Sequence, residues 1–117
     1  MKISKIAELL EAEVLCGDDM LETEVRSACG SDMMSDVLAY VKDQAVLLTG
    51  LVNAQVVRTA AMMDMRCIVF VRAKVPGEDI LELARDCGMA VLTTKERMYV
   101  ACGRLYAAGL TGGSECK

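Results

Sequence analysis

Three short runs of this chain, "AVLLTG" (45–50), "CIVFV" (67–71) and "MAVLTT" (89–94), are apolar without alternation. A strand with one wet face alternates apolar and polar residues, whereas a strand apolar at every position must be covered on both faces. Two stretches of helical spacing lie between the runs. In 53–64, Asn53 stands as a cap, and Val56, Val57, Ala60, Ala61 and Met63 form an apolar face. In 78–87, Ile80, Leu83, Ala84 and Cys87 recur at i, i+3, i+4 and i+7; Glu78 and Asp79 suit the positive end of the helix dipole, and Gly88 suits its stop. A β-α-β-α-β order of this kind specifies an α/β fold: a small single domain with a mainly parallel sheet flanked by helices and right-handed crossovers.

The N-terminal part fits the same plan. Residues 4–12 read as a helix with Ser4 as cap and Ile6, Leu9 and Leu10 inward. "EVLCG" and "EVRSACG" read as short strands separated by a turn, and "SDMMSDVLAYV" as a helix. Ser31 or Asp32 would cap that helix, with Met34, Val37, Leu38 and Val41 on one face. A last helix over about 95–108 is expected, opened by a Thr93/Glu96 capping box and ended by Gly109. Met98, Ala101, Cys102 and Leu105 would face inward. The domain is expected over 1–110, followed by a flexible tail over 111–117.

Composition excludes several function classes. Thirteen Lys and Arg against seventeen Asp and Glu give a net charge of −4, with the basic residues scattered singly. There is no stripe to neutralise a phosphate backbone, and four aromatics do not make a stacking platform, so no nucleic acid partner is expected. No run reaches the roughly 18 apolar residues of a membrane span. "MKISKIAELLEAE" carries carboxylates where a signal peptide carries its apolar run, so a cytoplasmic location is expected. The apolar fraction of 54 % exceeds the usual share of about 45–50 %, and the surplus suggests burial against a partner.

There are six cysteines, no C-x-x-C pair and no histidine, so neither a metal nor another cofactor is expected. Cys67, Cys87 and Cys102 occupy apolar positions and are expected to be buried, reduced core residues; Cys116 is expected to be exposed and reactive. Without histidine the Ser–His and Cys–His pairs are excluded, and there is no P-loop, so no catalytic residue is assigned.

The strand ends offer what remains. In a parallel sheet, ligands sit beyond the carboxyl ends of the strands. Thr49, Gly50 and Asn53 at one end, and Thr93, Thr94 and Lys95 at another, lead into helix starts whose free N–H groups suit an anion. The same residues also read as purely structural: Gly50 for a turn with positive φ, Asn53 and Thr93 as caps, Lys95 as a solvated charge. Leu51 and Val52 place apolar side chains in the turn itself, beside Met62 and Met63. That patch is expected to fold back on the core or to meet a partner, and a homodimer interface is the reading chosen.

Three strings, "MKISKIAELLEAEVLCG", "LLTGLVNAQVVRTAAMMDMRCIVFV" and "LELARDCGMAVLTTKERMYVACGRL", resemble the DRTGG domain family over nearly the whole chain. More distantly, the chain is similar to the N-terminal domains of HPr kinase/phosphorylase and of Mur ligases. The resemblance implies a small α/β domain serving as a dimerising, regulatory, non-enzymatic module, with a protein partner in an iron-only hydrogenase system or other anaerobic energy metabolism. The alternative it leaves open is a sensor of a nucleotide or other anion. The turn matching the family's name reads "TGLVNAQ" here, without an Asp-Arg pair.

Overall fold

In the computed structural model, which describes residues 1–40 and 44–112, five strands form one sheet. The strands are β1 (Glu13–Cys16), β2 (Ser27–Gly30), β3 (Ala45–Thr49), β4 (Cys67–Phe70) and β5 (Ala90–Thr93), in the spatial order β1-β5-β4-β3-β2. β2, β3, β4 and β5 are mutually parallel in sequence order, and β1 joins β5 antiparallel with an irregularity between Val14 and Cys16. The α/β expectation with a mainly parallel sheet therefore holds.

The unbroken apolar runs give strands buried at every position. Alternate residues serve different faces, as the strand pleat requires. Leu47, Ile68, Phe70 and Val91 pack with Val56, Val57 and Ala60 of α3 (Ala54–Met62) and with Ile80, Leu81 and Ala84 of α4 (Glu78–Asp86). Val37 of α2 (Met34–Tyr40) belongs to the same cluster. Val46, Leu48, Cys67, Val69 and Leu92 pack the other way, against Ile3, Ile6 and Leu10 of α1 (Ile3–Leu10) and Ala101 and Leu105 of α5 (Met98–Ala107).

Several local expectations are corrected. Ser4 lies inside α1; the N-cap is Lys2, whose residue bridges Glu24 and whose carbonyl accepts from Lys5 and Ile6. The segment between β1 and β2 holds a short 3₁₀ turn, Asp18–Met20, entered through Gly17. Gly17 has φ +87°, and a Cβ there would lie 2.6 Å from Ala90 Cα, so both the backbone and the space require glycine. Leu38 is exposed although placed on the inner face, while Val37 is fully buried and Met34 half-buried; Val41 lies outside the described residues. Leu81 replaces Leu83 as the more buried residue of α4. Thr111 still lies along the sheet, its carbonyl accepting from Ala28 N–H at 2.9 Å.

The cysteines divide differently from the expectation. Cys67 is fully buried and Cys102 half-buried, but Cys87 is exposed. It is the C-cap of α4, one residue past the last regular turn, where the helical face no longer continues. Cys16 is buried and donates to the Met89 carbonyl at 3.5 Å, and Cys29 is half-buried. Cys116 lies outside the described residues.

Two outcomes follow for the thiols. Under native conditions a thiol reagent should modify Cys87 quickly and Cys67 only through global unfolding, with Cys29 and Cys102 between; fast labelling of Cys67 would contradict its place in the core. Burial also pushes the Cys67 thiol from 9.0 up to about 12. Between those pH values the unfolded chain has lost a proton that the native chain keeps. Stability should therefore be unaffected below pH 9.0 and fall above it, by about 1.4 kcal/mol per pH unit for this one group. Burial of Cys16, Cys29 and Cys102 acts in the same direction. Urea midpoints against pH should show the decline, less steep in Cys67→Ala; an equal slope in both proteins would count against it.

Candidate functional site

The carboxyl ends of β2 to β5 bring four loops to one edge of the sheet, and the two predicted half-sites lie there. They are not one site. Thr49 and Thr93 end strands separated by β4, roughly 10 Å apart at the usual strand spacing. The first residues beyond β4, Val71, Arg72 and Ala73, occupy the ground between them.

At the β3 end, an internal carboxylate takes the place expected for an anion. Asp32 Oδ1 accepts from the Gly50 N–H at 2.8 Å and from Thr49 Oγ1 at 2.9 Å. The Leu51 N–H donates back to Thr49 Oγ1 at 3.1 Å. Thr49 is fully buried, so its hydroxyl depends on these partners. Asp32 therefore does not cap α2, and neither does Ser31, whose Oγ accepts from the Met33 N–H ahead of the helix; the first helical carbonyl is that of Met33, which accepts from Asp36 and Val37. Asn53 acts as the predicted cap, its side chain accepting from Val56 N–H at 3.1 Å. Gly50 has no positive φ. A Cβ on it would instead run into the Arg72 guanidinium, which lies over the turn with Nη2 4.0 Å from Asp32 Oδ2. An aspartate and an arginine distant in sequence, residues 32 and 72, thus meet at this turn.

Arg72 was not singled out by the sequence. Arg72 and Ala73 both have left-handed backbones, φ +59° and +58°, a conformation that costs a non-glycine residue of order 1–2 kcal/mol. Two bonds from the next loop hold them: Arg72 N–H donates to Glu96 O and Ala73 N–H to Thr94 O, each at 2.8 Å. The strain and the neighbouring loop together set the guanidinium above Gly50.

At the β5 end both hydroxyls are engaged. Thr93 Oγ1 donates to Lys74 O and Thr94 Oγ1 donates to Leu10 O, each at 2.7 Å. Thr94 Oγ1 also accepts from Glu96 N–H. The predicted Thr93/Glu96 capping box is accordingly absent, because Thr93 is still in β5 and the Glu96 carboxylate pairs with Arg104 at 2.9 Å. Arg97 is the N-cap of α5, with no side-chain cap bond. Lys95, together with Thr93 and Thr94, lines a shallow cleft of about 200 Å³ that Glu11, Glu13, Ala73 and Val75 complete. Two carboxylates in that lining oppose an anion.

The turn's apolar residues fold back: Leu51, Val52 and Met63 are half-buried against the α2–α4 side of the core. Met62 is 73 % exposed. No helix of the described residues is long and apolar enough to cross a membrane.

Comparison with known proteins accords with this architecture. No curated protein matches the sequence. Among solved structures, the chain is similar to the CBS and DRTGG domains of the regulatory region of a Clostridium perfringens pyrophosphatase, a structure in complex with the activator diadenosine tetraphosphate. The TM-score is 0.73 at 17 % identity, over 94 % of this chain and 47 % of that one, so the chain spans about half the length of its structural neighbour. At that identity the likeness speaks for the fold. The sequence itself matches the DRTGG domain over residues 5–108, and the chain belongs to the DRTGG domain family.

Proposed function

We propose that this chain is a regulatory interaction module that performs no chemistry of its own and acts as a homodimer. The observation that supports this reading is the self-closure of the carboxyl edge. Five of the six residues there that suited a ligand, all but Lys95, are used internally: Thr49 and the Gly50 N–H on Asp32, Asn53 on Val56, Thr93 on Lys74, Thr94 on Leu10. An edge built to bind an anion keeps such donors free. On the family resemblance, the system it serves is one of anaerobic energy metabolism in the cytoplasm, with a hydrogenase-related protein as partner.

One observation favours the alternative, a nucleotide sensor. Arg72, Lys74, Lys95 and Arg97 are all exposed on loops of this edge, and of these four only Arg72 comes within 4.0 Å of a carboxylate of the described residues. The similar pyrophosphatase regulatory region is in complex with the activator diadenosine tetraphosphate, a polyphosphate that four such cations would suit. On this alternative the phosphates lie across the β4 and β5 loops, and Asp32 gives up the Gly50 N–H to admit them.

Asp32 separates the two. Asp32→Ala leaves the Gly50 N–H and the buried Thr49 hydroxyl without their acceptor, and should cost about 1–3 kcal/mol in urea denaturation, with Asp32→Asn costing less. A thermal-shift titration with diadenosine tetraphosphate, ATP and inorganic phosphate should give no saturable stabilisation of the wild type. A ligand at a hundred times its dissociation constant would add about 2.7 kcal/mol. Saturable stabilisation that disappears in Lys74→Ala and Lys95→Ala would transfer the conclusion to the sensor.

A further inference from the structure

We infer that the outer face of α5 is the surface on which a second copy of this chain docks; the inference rests on the homodimer reading above and gives it a place. The inner face of α5 is accounted for: Ala101 and Leu105 are fully buried, with Met98 and Cys102 packed beside them. The outer face carries no charge. Tyr99 is 89 % exposed, Tyr106 68 % and Val100 39 %, and Gly103 and Ala107 complete the exposed set. At 100° per residue these five positions span an arc of about 120°. An apolar stripe of that width is what a helix turns toward a core. α5 already has such a stripe on its opposite side.

Gly103 is the second observation. Glycine is the poorest helix former but proline, and it stands here in the middle of a ten-residue helix. A Cβ on it would meet nothing within 4 Å, so nothing among the described residues requires its absence. It lies at the centre of the exposed arc and near the midpoint of the helix. Close approach of another backbone is the use for a glycine at such a point.

The arrangement of the rings selects a second copy as the occupant. Along the axis Tyr99 lies about 6 Å before Gly103 and Tyr106 about 4.5 Å after it. Two such helices crossing antiparallel at Gly103 would set the Tyr99 of each against the Tyr106 of the other. That self-complementarity is what a two-fold interface demands. Four largely exposed rings, at about 150–250 Å² each, supply at most about 600–1,000 Å² of the roughly 1,200 Å² of a stable interface, and Val100, Gly103 and Ala107 of both copies add to them. The patch first expected from the sequence is less suited, since Leu51, Val52 and Met63 are half-buried in their own core.

Sedimentation equilibrium of the full chain across a dilution series tests the assignment. Wild type should be dimeric at the upper end. Gly103→Leu, which places a side chain at the crossing point, should weaken self-association more than about thirtyfold, and so should Tyr99→Glu, with circular dichroism unchanged. Gly103→Ala should act in opposite senses on the two states, raising the melting temperature of the dissociated chain by a few degrees while weakening the dimer. A wild type that stays monomeric throughout removes the homodimer and this surface with it. A wild type that dimerises, with Gly103→Leu and Tyr99→Glu dimerising equally well, removes the surface alone; a monomeric Leu51→Asp in that case would place the contact at the β3–α3 turn.

Discussion

Everything in this fold follows from β3, β4 and β5 being buried on both faces. Three successive connections carry the chain from β2 to β5 in one direction across the sheet, and α2, α3 and α4 all pack on one side. Crossovers of one hand advancing in one direction leave no helix for the other side. That side must be covered by what precedes and follows the parallel unit, and α1 and α5 do so. Because they come from opposite ends of the described chain, only long-range bonds join them. Thr94 donates to Leu10 O, and Arg104 donates to Leu9 O at 3.2 Å. Both carbonyls belong to the last turn of α1, where a cation also favours the helix dipole and where α1 has no basic residue of its own.

The parallel core was legible because its signals are local. Unbroken apolar runs and helical spacing are properties of ten consecutive residues, and so is the Asn53 cap. What could not be read depends on distant residues meeting. Asp32 stands where a helix cap would stand, and spacing alone gives no reason to send it to Thr49 and Gly50, seventeen and eighteen residues on. Arg72 carried no signal at all: its place over Gly50 comes from a left-handed backbone held by Glu96 and Thr94 of a later loop. The spacing of Thr93 to Glu96 mimics a cap for the converse reason. The Thr93 hydroxyl has a stronger claim elsewhere, on the carbonyl of Lys74. Helical spacing turns Cys87 inward only if α4 continues one residue beyond its regular end, which it does not.

The carboxyl edge therefore has the parts of an anion site with the anion built in. A backbone N–H and a hydroxyl converge on a carboxylate oxygen, and a guanidinium stands above them. Asp32 contributes its charge from the same chain, so no ligand is needed to order the turn. An external phosphate would have to replace bonds already made, at close to ideal distance, and would meet the Asp32 carboxylate while doing so. That competition is the physical ground for ranking interaction above sensing here.

The same bonds reach α5. Asp32 joins the β2–α2 loop to the β3–α3 turn, Arg72 lies over that turn, Glu96 and Thr94 hold Arg72 and Ala73, and two residues after Glu96 the helix begins. The start of α5 is thus fixed by the loops of the carboxyl edge. Its last turn is fixed separately: Leu110 is buried, and Thr111 bonds to β2. A helix held at both ends presents its outer face rigidly, and a rigid apolar face loses little conformational entropy when a partner covers it. On the sensing alternative the bonds to give way first are those of Asp32 to Gly50 and Thr49, one step removed, through Arg72, from the bonds of Glu96 and Thr94 that set the entry of α5. A ligand that displaced Asp32 would therefore lie one ion pair and one pair of backbone bonds away from the helix that carries the exposed tyrosines.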